Sequence, residues 1–76
     1  MMSSKNYKQE MINRAAEMLE NEDYSGLEAM AEILLKSANM KQVPVQEAKD
    51  KLANYEDSFN IGELAAAVDA LIDAAA

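Results

Sequence analysis

Apolar residues return every three or four positions along almost the whole chain, the spacing of one face of a helix. Tyr7, Met11, Ala15, Met18 and Leu19 make a stripe on a helix predicted over 4–20. A second stripe, Leu27, Met30, Ala31, Leu34 and Leu35 with Ile33 beside it, predicts a helix over 25–38. Ser25 followed by Glu28 reads as its capping box, a hydroxyl and a carboxylate each satisfying a free N–H. Val45, Ala48, Leu52 and Tyr55 predict a third, shorter helix over 44–55, with Pro44 in the first turn, where its missing N–H is no loss. Ile61, Leu64, Ala65, Val68, Leu71 and Ile72 form the cleanest arc and predict a helix over 60–74. Asn60 is the expected cap of that helix, with Ser58 as a rival. Phe59, the one phenylalanine, is expected to anchor the core, with an interface anchor as its rival role.

No stretch alternates apolar and polar residues over strand length, and two glycines and one proline leave little material for a turn-rich β fold. The expectation is a single all-α domain over residues 1–76, a bundle of four short helices arranged as two helical hairpins. Leu34, Leu64 and Val68 are expected in its core.

Composition then limits the core. Of 76 residues half count as hydrophobic, but 14 are Ala and six are Met, and only 15 are Leu, Ile, Val or Phe. A chain this short buries about 60% of its unfolded surface, so extra burial from a partner, or from a second copy in a homodimer, would add stability. The absence of cysteine suits a reducing, cytoplasmic setting. Residues 1–10 are too polar for a signal peptide, and no apolar run reaches membrane-spanning length, so no membrane role is expected.

Charge narrows the function further. Fourteen acids face seven bases, a net charge of −7, the wrong sign for contacts to phosphate. Direct nucleic-acid binding is therefore not expected, and a partner with a basic surface is. Lys51 is the last base, and the acids beyond it are Glu56, Asp57, Glu63, Asp69 and Asp73. These five are the candidate partner-binding residues. Glu63, Asp69 and Asp73 are expected opposite the apolar arc of the last helix.

Catalytic constellations find no material. Without His or Cys there is no imidazole base, thiol nucleophile or ordinary zinc site, and no serine lies in a G-x-S-x-G setting. Gly26 and Gly62 are isolated, so no phosphate loop is present, and no stretch has the acid spacing of a calcium loop. Glu17, Glu20, Glu22 and Asp23 cluster, but read first as solvated surface carboxylates. No cofactor is expected, and the reading is non-enzymatic.

Two resemblances add to this. Asp57-Ser58-Phe59 followed by Glu63-Leu64 resembles the Asp-Ser-Leu motif of acyl and peptidyl carrier proteins, whose serine bears phosphopantetheine at a helix start. Here only 18 residues follow Ser58, one helix where that family has more. Residues 45–69 resemble the HEAT-like helical domain at the start of bacterial aconitase B, at Ala48, Leu52, Phe59-Asn60-Ile61, Leu64 and Asp69. The likeness implies a helical hairpin used for protein contacts and carries over no catalytic residue. The expected function is thus a protein–protein interaction module: an adaptor, small subunit or inhibitor with an acidic helical surface. The alternatives are an acidic decoy inhibitor of a nucleic-acid-binding protein, of the phage-borne or anti-CRISPR type, and a carrier protein modified at Ser58.

Overall fold

The computed structural model describes residues 4–75, which form four helices: α1 (Ser4–Glu20), α2 (Tyr24–Met40), α3 (Gln46–Ser58) and α4 (Ile61–Ala75). The chain is all-α among these residues. Each predicted helix is present, and the differences lie at the ends.

The α1–α2 turn explains one of them. The N–H of Asp23 donates to the Met18 carbonyl at 2.7 Å and that of Glu22 to Leu19 at 3.2 Å, the paired bonds that close a helix through a left-handed residue. Glu22 is that residue, with φ 57°. Asp23 is held in place by the end of α1, and its carboxylate accepts from the Gly26 N–H at 3.0 Å to open α2. The expected Ser25–Glu28 box is therefore not the cap: the helix already starts at Tyr24, and Glu28 is engaged elsewhere. A Cβ at Gly26 would lie 2.5 Å from the Asp23 carboxylate, so a larger residue there would require the capping side chain to shift.

The end of α2 repeats the device two residues beyond the expected boundary. Val43 N–H donates to Ala38 at 2.9 Å and Gln42 N–H to Asn39 at 3.1 Å, with Gln42 left-handed at φ 58°. Val43 to Val45 then carry the chain across to α3. Pro44 lies in this connection, not in the first turn, because Val45 (φ −136°, ψ 39°) is still outside the helix. Helix α3 runs on to Ser58, and only Phe59 and Asn60 separate it from α4. Asn60 caps α4 as expected, Oδ1 accepting from the Gly62 N–H at 2.9 Å.

Helix α4 is the centre. Leu64, Ala67, Val68, Leu71, Ile72 and Ala75 are all buried on it, and it packs against α1, α2 and α3. Each fully buried Leu or Ile contributes roughly 1.5–3 kcal/mol over an exposed one. Leu27, Met30, Ala31, Leu34 and Ala38 of α2 and Val45, Ala48 and Tyr55 of the α3 region complete the core. Leu34, Leu64 and Val68 are buried as expected. Helix α1 contributes Ala15, with Met11 and Met18 half-buried, while Tyr7, Ile12 and Leu19 stay exposed. The Cα trace measures 39 × 29 × 14 Å. That thickness is about two helix layers at a spacing of roughly 8–10 Å. Lys41 Nζ donates to the Ala75 carbonyl at 2.8 Å, placing a cation at the negative end of α4.

Candidate functional site

No Cα of α3 comes within 8 Å of one in α2. The two helices both pack on α4 and leave a groove of about 510 Å³ between them. Ala31, Leu35, Leu52 and Leu64 line it with apolar surface, and Phe59 and Tyr55 complete that lining. Glu28 and Glu32 stand on the α2 side and Glu56 on the α3 side, and no base lines the groove.

The sequence pattern dictates both walls. On α2, Glu28, Glu32 and Leu35 fall on one flank of the helix, four and three residues apart, beside the buried stripe. On α3, Leu52, Tyr55, Glu56 and Phe59 follow the same i, i+3, i+4, i+7 rule. The tie across the opening is Tyr55, whose hydroxyl donates to Glu28 Oε2 at 2.6 Å. That bond, then burial, then the Glu28 charge raise the Tyr55 phenol above its ordinary value.

Phe59 does not anchor the core; it is 74% exposed. It terminates α3 in the left-handed conformation at φ 58°, its N–H donating to the Tyr55 carbonyl at 2.7 Å. This single-bond helix end brings the left-handed residue against the side chain four positions back. The Tyr55 and Phe59 rings accordingly meet edge to face, with centroids 6.4 Å apart. Geometry at the helix end thus overrides the pull of Phe59 toward the core.

The five candidate acids divide among several faces. Glu56 rims the groove, and Asp57 is exposed on α3. Glu63 lies half-buried in the first turn of α4. Asp69 and Asp73 border a shallow hollow with Lys8, Ile12 and Ile72 where α1 meets α4. Asp73 is paired there, its Oδ1 2.8 Å from Lys8 Nζ, and this bond and charge hold its carboxyl below the usual range. Sequence reasoning does not single out Glu28, Glu32, Leu35 and Tyr55 as a site. Their flank positions are readable on each helix, but only the packing of α2 and α3 on α4 brings the flanks together.

Ser58 is engaged within the chain. Its hydroxyl donates to the Asn54 carbonyl at 2.8 Å and accepts from the Asn60 N–H at 3.2 Å, at the last residue of α3. Among the described residues no three acids converge into a metal-holding group, so Glu28, Glu32 and Glu56 act as separated charges. No described helix is long and apolar enough to cross a membrane.

No family model, curated protein or solved structure matches this chain.

Proposed function

We propose that the chain is a non-enzymatic, cytoplasmic protein–protein interaction module that recognises a basic partner, as an adaptor, small subunit or inhibitor. The observation that carries this reading is the groove between α2 and α3, apolar within and bordered only by acids. A depleted-charge interior with a charged rim is the anatomy of a protein interface. The net charge of −7 favours the encounter with a basic surface, speeding association more than it tightens the final complex. The likeness of residues 45–69 to the HEAT-like domain of aconitase B agrees with a contact role for the α3–α4 hairpin, by analogy of fold alone.

Affinity capture from the native host on the immobilised full chain, followed by mass spectrometry, tests this. The expected result is a specific protein retained at low salt and released progressively as salt rises, since exposed charges are screened over about 8–10 Å at ordinary ionic strength. Equal capture by an unrelated helical protein of the same charge would overturn the reading. Displacement of the captured protein by nucleic acid would favour the decoy form of the same activity.

A further inference from the structure

We infer that the α2–α3 groove is the docking site for a basic amphipathic helix of the partner, one whose apolar side chains enter between Leu35, Leu52 and Leu64 while its lysines and arginines meet Glu28, Glu32 and Glu56. The inference rests on the interaction-module reading and adds to it a location and the chemistry of the occupant.

A groove of about 510 Å³ takes a few side chains and not a whole helix. An amphipathic helix lying along such a groove presents side chains at i, i+3, i+4 and i+7. The walls are themselves helical and offer apolar and acidic groups at that same repeat. Charge decides the flanks. Three carboxylates border the apolar floor without converging on one point, so they match cations spread along a helix better than a single metal ion. Phe59 supplies an independent indication. Phe59 meets the Tyr55 ring edge to face and lines the groove, yet keeps 74% of its surface in water. A helix covering the groove mouth would bury that ring, and an arginine over its face would add a cation–π contact.

A second copy of this chain is a poorer occupant. Both copies carry −7, and two cations of α1 are already engaged, Lys8 with Asp73 at 2.8 Å and Arg14 with Glu10 at 3.6 Å.

The test uses the full chain and a labelled synthetic peptide with leucines at i, i+3, i+4 and i+7 and lysines and arginines on both flanks. Two control peptides have the leucines shuffled off one face, or glutamates in place of the cations. Fluorescence anisotropy should show binding of the first peptide and at least roughly tenfold weaker binding of both controls. Amide chemical shifts should move at Leu35, Leu52, Tyr55 and Phe59. Phe59→Ala should weaken binding about tenfold, and so should the combined Glu28→Gln, Glu32→Gln and Glu56→Gln variant. The new amide oxygen at position 28 can still accept from the Tyr55 hydroxyl, so the triple variant removes charge and keeps the tie across the groove. Circular dichroism checks that both variants stay folded. Should either unfold, the chemical-shift map on the wild-type chain decides alone. Shifts confined to Asp69, Asp73 and Ile12 would overturn the groove assignment and leave the acidic module standing. Equal binding of the shuffled peptide, or no binding of any peptide, would overturn the inference, while host capture judges the broader reading separately.

Discussion

Tyr55 on α3 and Glu28 on α2 meet at 2.6 Å across 27 positions of sequence, although the backbones of their helices stay apart. The phenol is the donor, so the bond exists only while Tyr55 keeps its proton. This couples the separation of the two helices to the state of one side chain.

A pH dependence follows. The folded-state pKa of Tyr55 is raised above the ordinary value of about 10, chiefly by the bond to Glu28. The folded protein therefore holds this proton more tightly than the unfolded chain. The resulting stability is fully present below about pH 10 and is lost as pH rises through the raised value. Thermal melts of wild type should decline above about pH 10 more steeply than those of Tyr55→Phe, whose other titrating groups are unchanged. Parallel declines would show that the bond is not kept in solution.

Asp73 gives the opposite sign. Its pKa is lowered by the Lys8 bond and charge, so its contribution is present above the ordinary carboxylate value and lost as pH falls through the lowered one. The pair is exposed, and Asp73 also lies near the negative end of α4, where an acid is unfavourable. These effects oppose each other, so Asp73→Asn should hardly move the melting temperature. It should instead loosen α1, which otherwise joins the core through Ala15, Met11 and Met18. Hydrogen exchange should quicken in α1 and stay unchanged in α2 and α3; uniform quickening would mean that Lys8–Asp73 supports the whole fold.

The core is sharply graded by helix, and substitution should reveal it. Leu71 on α4 is fully buried, while Leu19 on α1 is 40% exposed. Leu71→Ala should cost about 2–5 kcal/mol and Leu19→Ala under about 1 kcal/mol, read from urea unfolding. Val68, buried beside Leu71, should not tolerate Asp at all, since an unpaired buried carboxylate costs several kcal/mol against a total of roughly 4–11 kcal/mol for a chain of this size. Equal costs at Leu71 and Leu19 would remove α4 from the centre.

The helices were legible because their apolar stripes are long relative to the error in period, and α4, with the cleanest arc, is the most buried. The stripe on α1 was legible but its depth was not: Tyr7 and Leu19 repeat correctly yet remain exposed, because α1 meets α2 and α4 far less extensively than α2 and α3 meet α4. Alanine was ambiguous in the same way. Ala38 and Ala67 are fully buried and Ala16 and Ala53 are exposed, and nothing in the residue type separates them. Hydrophobicity alone misplaces Phe59, because it takes no account of how the helix ends. The groove belongs to neither α2 nor α3 alone, so no single stripe could announce it.

Glu22, Gln42 and Phe59 all adopt φ near 58°, one after each of the first three helices, and none is glycine. A residue with a Cβ in this region is strained by roughly 1–2 kcal/mol, while glycine relieves the strain and returns about 0.5–1 kcal/mol of it as greater freedom of the unfolded chain. Gln42 is exposed, and its side chain takes part in none of the hydrogen bonds that close α2; those run through backbone groups glycine retains. Gln42→Gly should therefore stabilise the protein by about 0.5–1 kcal/mol, a rise of several degrees in melting temperature for a domain this small. Glu22→Gly should act similarly, with Asp23 left to cap α2. Phe59→Gly should gain less or nothing, because it also removes the Tyr55 ring contact. Melting curves of the three variants side by side check the ranking. A loss of stability at Gln42→Gly would mean that the left-handed turn after α2 is not the conformation the chain holds in solution.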